Sequence, residues 1–250
     1  MIKPDRNIQS PFPGRIFFYE ELESTMTQAR ALVASGDAGQ GTIVQAGTQS
    51  AGRGRIPGRK WESGQGQNLL FTILIERKSL KIPISVFPLA AGLAVSLALE
   101  ELRIPCSIKW PNDILCGEKK ICGILCETAG SFLSAGIGLN CNQERFPGGL
   151  KRPPTSIFME TGRESPPSIL LETLLPHLHS VLTMENWHAE IERRLYGMGR
   201  MAILSEGAAD SGGEKRVRIS GIGGQGELMV EGADGARSAV FTGEILYDQS

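Results

Sequence analysis

The chain has 250 residues, 41% of them hydrophobic, with 26 Lys and Arg against 27 Asp and Glu and a formal net charge of −1. That apolar fraction supports a packed core and excludes disorder along the whole length. The near-neutral balance gives no support to a protein dedicated to polyanionic nucleic acid. The length allows one large domain, or an ordinary domain with a small companion. Cys106, Cys116, Cys122, Cys126 and Cys141 form no CxxC pair, so neither a zinc site nor a disulfide framework is indicated, and reduced, mostly buried thiols are expected. The N-terminal MIKPDRNIQSPFPG has no apolar h-region, and the longest apolar stretch, Phe87 to Leu99, is too short to span a bilayer. A soluble, cytoplasmic protein without a membrane partner is the expectation.

Residues 1–15 are polar and proline-containing and are expected to be loosely ordered. Arg15 to Leu22 alternates bulky residues as a strand. Thr25 and Gln28 then show capping-box spacing ahead of a helix over Ala29–Ser35, with Gly36 at its end. GTIVQA (41–46) reads as a strand, and NLLFTILIE (68–76) as a strand buried on both faces. Residues 88–102 form a helix rich in small residues; SIKW (107–110), KICGILCE (120–127) and FLSAGIGLN (132–140) are further strands. A polar connection (143–168) leads to helical material between Ile169 and Leu195. After Gly197, short β-type runs alternate with Gly and Asp turns, which suggests a small antiparallel barrel. The pattern is a mixed α/β body followed by an all-β cap.

Three stretches carry chemistry. In QSAGRGRIPGRKW (49–61), Gly52, Gly54 and Gly58 free backbone amides to converge on an anion, while Arg53, Arg55 and Arg59 offer fixed-charge donors suited to phosphate. The composition also fits a solvated surface loop. Its place after a strand, where open α/β sheets hold ligands, favours the anion. In IKWPNDILCGEKKICGIL (108–125), Pro111 ends a strand, Asn112 and Asp113 project from a turn, and Lys119 and Lys120 return on the next strand. This presents a carboxylate and an ammonium to one cleft, although Asn-Asp after Pro is also ordinary turn chemistry. In GIGLNCN (136–142), Gly136 and Gly138 let something bulky approach the backbone, beside Asn140 and Asn142; a β-bulge with a polar end fits as well. His177, His179 and His188 do not share one helix face, so no metal triad is expected.

In this order and spacing the pieces resemble the biotin–protein ligases, also called biotin–[acetyl-CoA-carboxylase] ligases. The matching residues are EST (23–25), QSAGRGR…GRKW (49–61), KWPND (109–113), KKICGIL (119–125), GIGLNCN (136–142) and the C-terminal GIGGQGELMV and TGEI, spanning about residues 16–247. Two departures stand out. Met26 occupies the place where the family commonly has Asn, and Ile56-Pro57 adds one residue between the two Gly-Arg units compared with many members. The first matching strand begins near residue 16, which leaves no room for the winged-helix domain of repressor-type members, so no DNA partner is expected.

The resemblance implies an α/β (α+β) fold: a mixed β-sheet flanked by helices, of the class II aminoacyl-tRNA synthetase/biotin synthetase type, over 16–197, and an SH3-like β-barrel over 198–250. It implies ATP-dependent activation of biotin as biotinyl-5′-AMP and transfer to a lysine of a biotin carboxyl carrier domain of a carboxylase or decarboxylase. Lys120, Arg55 and Asp113 are the implied catalytic residues. Ser24, Thr25, Met26, Gln49, Gly52, Arg53, Gly54, Arg55, Lys120 and Gly123 are the implied biotin contacts. Arg53, Arg55, Arg59, Trp61, Lys109, Trp110, Asn112, Lys120, Asn140 and Asn142 are the implied ATP contacts. Mg²⁺ arrives with the ATP phosphates rather than on protein ligands, and homodimerisation is left open. Three rivals remain: a lipoate ligase or octanoyl transferase, a nucleic-acid-binding module using the basic loop, and an inactive biotin-binding regulator.

Overall fold

The computed structural model describes residues 2–4, 8–205 and 214–247. Strands β1 (Ile2–Pro4) and β2 (Ile16–Leu22) precede helix α1 (Thr25–Ser35), followed by β3 (Thr42–Gln49) and β4 (Asn68–Glu76). Helix α2 (Phe87–Glu101) leads to β5 (Ser107–Lys109), β6 (Asp113–Cys116), β7 (Lys119–Ala129) and β8 (Phe132–Asn140). These strands form one eight-stranded sheet in the order β1-β2-β3-β4-β8-β7-β6-β5. The β2–β3 ladder is parallel and the others in this sheet are antiparallel.

Strand periodicity sorts the side chains onto two faces. Ile43, Leu69, Phe71, Ile73 and Ile75 point into the large core beneath α2 and α4 (Pro167–Val181), whereas Val44 and Leu74 meet Ala29 and Leu32 of α1 on the opposite face. NLLFTILIE is a nearly continuous apolar run because β4 is covered on both sides, and Leu69 to Ile75 are all buried. Helix α2 is buried nearly all round. Its small residues permit this: a Cβ at Gly92 would stand 3.1 Å from Ile114 Cδ1. Contrary to the sequence-based expectation, Ile84–Glu101 is long and apolar enough to cross a membrane, but 67% of it is buried inside the protein. It is the core helix of the body.

Two short helices, α3 (Ile157–Thr161) and α5 (Trp187–Arg193), complete this part of the chain. Helix α3 lies inside the connection expected to be irregular, capped by Ser156, whose side chain accepts from the Met159 amide. The helical stretch expected from Ile169 to Leu195 is two helices, interrupted between Val181 and Trp187. Helix α1 begins at Thr25, earlier than expected. Its N-cap residue is Ser24 without a side-chain cap bond; the Thr25 hydroxyl is engaged elsewhere, and Gln28 Nε2 donates to the Tyr19 hydroxyl.

A second, five-stranded antiparallel sheet contains β9 (Met201–Ser205), β10 (Glu214–Ile222), β11 (Leu228–Glu231), β12 (Arg237–Val240) and β13 (Glu244–Tyr247), in the order β12-β11-β10-β9-β13. This agrees with the small C-terminal β domain read from the Gly- and Asp-punctuated runs. Its interior residues Ala202, Leu204, Ile219, Val230 and Ile245 continue the large core without a break. At the junction, Gly197 has φ +79° and a Cβ there would lie 2.0 Å from the Tyr247 ring, so only glycine fits. Of the segment expected to be loose, Met1 and residues 5–7 lie outside the described residues. Ile2–Pro4 nevertheless pair with Phe17–Tyr19, and Phe12 is buried against the His179 ring. Residues 206–213 and 248–250 of the C-terminal domain are likewise outside the described residues.

Candidate active site

The parallel pair β2–β3 ends at Leu22 and Gln49, and its backbone bonding continues through Ser50 N to Leu22 O and Ala51 N to Glu23 O. The EST segment and the start of the Gly/Arg loop therefore leave the sheet together, at the carboxyl ends of parallel strands, where α/β sheets bind ligands. Gln49 Oε1 accepts from Thr25 N (2.7 Å) and Thr25 Oγ1 (3.1 Å), and Thr72 Oγ1 donates to Thr25 Oγ1 at 2.8 Å. Through Thr25 and Gln49 this chain of polar groups reaches the lining of an open cleft.

The floor of the cleft is the sheet face that α1 leaves uncovered. Gly123, Gly136 and Gly138 on β7 and β8 point toward it and thin it. The Trp61 ring rests on two of them: added Cβ atoms at Gly123 and Gly138 would lie 2.8 and 2.6 Å from it. At Gly136 the corresponding neighbour is Met26 Sδ, at 2.9 Å, which also accepts from Ser134 Oγ. The bulky group admitted by the glycines is thus the protein's own tryptophan and methionine. Leu125, on the same face as Gly123 and Gly136, adds an apolar side chain to the wall and escaped the sequence reading, whereas Ile124 and Ile137 turn their side chains into the core on the opposite face.

At the mouth stands a charged pair. Asp113 opens β6, and Lys120 lies on β7 with Nζ 2.7 Å from Asp113 Oδ1. Without interruption, β7 would turn Lys120 to the face of Cys122 and Ile124, into the core. The register shifts instead, so that Ile114 faces Cys122 while Leu115 faces Lys120. Ile121 is the extra residue of this bulge, and the bulge re-aims the ammonium onto the face shared by Asp113 and Gly123. Asn112 braces the same place: its Nδ2 donates to Ile124 O, and Ile124 N donates to Asn112 O. Lys109, opposite Asp113 on β5, has its pKa pushed down to about 8, chiefly by burial against the opposing pull of Asp113, with Arg152 and Lys120 adding repulsion.

The Gly/Arg loop roofs the cleft. Arg53, Gly54 and Arg55 line it together with Ser24, Thr25, Met26, Gln49, Trp61, Asn112, Lys120 and Gly123. The remaining expected contacts are elsewhere. Gly52 is buried at the loop base, where its carbonyl accepts from Trp61 N. Arg59 points away to Glu244 at 2.6 Å. Trp110 is 2% exposed and donates Nε1 to Gly226 O of the second sheet, so it anchors the two parts of the protein. Asn140 is spent on Thr155 O, and Asn142 pairs through both amide atoms with Ser165. All five cysteines are free, and burial holds the pKa of Cys116, Cys126 and Cys141 up near 12, so they are unreactive thiols. Among the described residues no cluster of His, Cys, Asp and Glu could hold a metal ion.

Residues 18–144, just over half of the chain, match the Biotin/lipoate A/B protein ligase family. The chain belongs to this family. A Bacillus subtilis protein named bifunctional ligase/repressor BirA is 36% identical over 160 residues, covering 60% of this chain and 48% of its own length. The chain therefore spans about half the length of this relative and of a second Bacillus BirA. The biotin–[acetyl-CoA-carboxylase] ligase of Paracoccus denitrificans is 29% identical over 245 residues, covering 88% of this chain and 96% of its own. Among solved structures, the biotin protein ligase from Aquifex aeolicus in complex with biotin and ATP superposes with a TM-score of 0.81 at 29% identity, over 96% of this chain and 100% of that one. The mixed sheet flanked by helices, with its second antiparallel sheet, is the fold of these ligases.

Proposed function

We propose that this protein is an ATP-dependent biotin–protein ligase, which forms biotinyl-5′-AMP and transfers the biotinyl group to a lysine of a biotin carboxyl carrier domain. The observation that carries this reading is one cleft lined by the hydroxyl and amide groups of Ser24, Thr25 and Gln49 together with Arg55 and Lys120, whose ammonium is paired with Asp113. Biotin has a matching polarity: a ureido head, an apolar tail and a carboxylate. The Ser24, Thr25 and Gln49 groups suit the head, and the Trp61, Leu125 and glycine-floored strip suits the tail.

In the first half-reaction a carboxylate oxygen of biotin attacks the α-phosphorus of ATP; the bond to the bridging oxygen breaks and pyrophosphate leaves. Charge on the phosphoryl oxygens needs cations fixed in advance, the role assigned to Lys120, Arg53 and Arg55. Magnesium carried in with the nucleotide would supply further neutralisation of phosphate charge. In the second half-reaction the carrier lysine attacks the acyl carbonyl and AMP leaves. That lysine has a pKa near 10.4 in water and must lose a proton first, and the Asp113 carboxylate at the mouth is the acceptor suited to hold and deprotonate it. The loop over the cleft keeps water from the mixed anhydride.

The named activities of the Paracoccus and Aquifex proteins support biotin and ATP as the substrates, and the Paracoccus name supports a carboxylase carrier as the acceptor. The net charge of −1 supports a protein rather than a DNA partner, and five free cysteines suit a reducing, cytoplasmic compartment. Pyrophosphate release tests the reading: it should require biotin and not proceed with lipoate. Release with lipoate alone would transfer the protein to the other branch of its family.

A further inference from the structure

The Gly/Arg loop is folded rather than open. Arg59 N donates to Ile56 O (3.1 Å) across Pro57 and Gly58, whose φ is +82°. Proline followed by a positive-φ glycine is the central pair of a type II turn. Below it Gly54 N donates to Arg59 O at 2.9 Å, and Arg53 bridges to Lys60, so 53–60 is a small hairpin. The extra residue that Ile56-Pro57 brings to the loop is built into that turn. The two arginines flanking the turn are thereby carried to the second sheet. Arg55 Nη2 donates to Gly243 O at 3.0 Å, and Arg59 Nη1 lies 2.6 Å from Glu244 Oε1.

Glu244 bridges two segments of the catalytic body. Its second oxygen, Oε2, takes Lys151 Nζ at 2.9 Å, from the connection after β8. Burial opposes the charge on Glu244, yet the bonds from Arg59 and Lys151 outweigh it and bring its pKa down to about 2. The carboxylate therefore stays ionised throughout the neutral range. It sits on β13, directly opposite Ser205, in a sheet whose core is continuous with that of the body. The hairpin is thus held to the second sheet at two points.

Resting on the ligase reading above, we propose that Glu244 is a positioning residue that latches the cationic hairpin over the cleft through Arg59, and that the latch sets how long the activated intermediate is retained. Glu244 touches no part of the cleft. It acts by keeping Arg55 and Arg53 in their roofing position. The small C-terminal domain, on this account, is the catch for the lid and contributes to containment without entering the chemistry. A single exposed ion pair is worth little, so the effect depends on the bridging geometry and on the carbonyl bond from Arg55 acting with it.

The experiment compares the unmodified full chain with Glu244→Gln, with Arg59→Glu, Lys151→Glu and Glu244→Arg combined, which inverts every charge of the bridge, and with Glu231→Gln. The last removes a carboxylate from the same sheet, paired only at 3.8 Å with Arg237. Two readouts are taken: trypsin cleavage of the hairpin without ligands, and the dissociation rate of preloaded biotinyl-AMP. The latch predicts that Glu244→Gln raises both by about three- to fivefold, with adenylate formation at saturating substrates unchanged within about twofold. The charge-inverted set, scored on cleavage after Arg55, returns to within about twofold of the unmodified protein, because both ion pairs of the bridge are re-formed. Glu231→Gln leaves both readouts unmoved. Unchanged cleavage and release in Glu244→Gln, or failure of the charge-inverted set to recover protection, overturns the proposal. If the unmodified protein forms no adenylate, the ligase reading fails instead, while the cleavage assay still decides the latch.

Discussion

Lys120 Nζ and Asp113 Oδ1 lie 2.7 Å apart across the β6–β7 pair, with the ammonium also 5.4 Å above the Trp61 ring. One cation is thus shared between a carboxylate and the lining of the cleft. Under the ligase reading proposed above, phosphate drawing Lys120 away would leave Asp113 free for the incoming amine.

Substitutions at the pair should separate the two steps. Lys120→Met is expected to cut biotin-dependent pyrophosphate release by about 10²- to 10³-fold, the usual cost of one preplaced electrostatic stabiliser. Asp113→Asn, given preformed biotinyl-AMP, should slow transfer to a carrier lysine by about 10²-fold, the scale of a lost general base. Stopped-flow adenylate formation and single-turnover transfer measure them separately. Unaltered transfer in Asp113→Asn removes the proposed base.

Gly138 supports the Trp61 ring so closely that a methyl group there must displace it. Gly138→Ala is expected to weaken biotin binding about tenfold, the equivalent of roughly 1.4 kcal/mol. The indole should move instead of the sheet, so the melting temperature stays within about 2–4 °C of the parent, corresponding to no more than about 1 kcal/mol in a protein this large. Calorimetric titration with biotin and thermal unfolding together check it.

Arg55 lines the cleft and reaches Gly243 O, so it links the roof to the second sheet. Arg55→Gly should still make adenylate but lose it to solution, labelling lysines of bystander proteins. Mass spectrometry of a mixture containing albumin and the carrier domain would reveal this; labelling confined to the carrier would contradict the containing role of the roof.

Much of the architecture could be read from the chain. NLLFTILIE announced a strand covered on both faces, Gly36 ended α1 with φ +80°, and the alternating runs after Gly197 became the second sheet. The GRGR loop was legible because its place after a strand favoured a cleft over a solvated loop of the same composition, and EST because its match to the family's motif accompanied it. Lys120 was expected beside Asp113, but not the means: a one-residue bulge at Ile121 turns it there, where strand periodicity alone would point it the other way. Trp110, Asn140 and Asn142 look like ligand groups in sequence but are consumed by Gly226, Thr155 and Ser165, partners distant along the chain. Glu244 was passed over for the same reason: TGEI carries no sign of the arginine it meets 185 residues earlier, at position 59.

Lys109 offers a test by pH. Its folded pKa of about 8 lies below the ordinary 10.5. The unfolded chain therefore holds more protons between these values, and the stability penalty present below pH 8 is relieved as pH rises toward 10.5. Lys109→Met should flatten that rise in a series of denaturant titrations. If Lys109 also meets phosphate, ATP binding near pH 8.5 should take up a proton, seen by calorimetry in buffers of different ionisation enthalpy and lost in the variant.

The most direct test is to incubate the purified protein with biotin, ATP, Mg²⁺ and a biotin carboxyl carrier domain and to measure the intact mass of the carrier. The account predicts one added biotinyl group, on a single lysine, formed only when both biotin and ATP are present. A carrier of unchanged mass, with the protein folded and biotin bound, would contradict it.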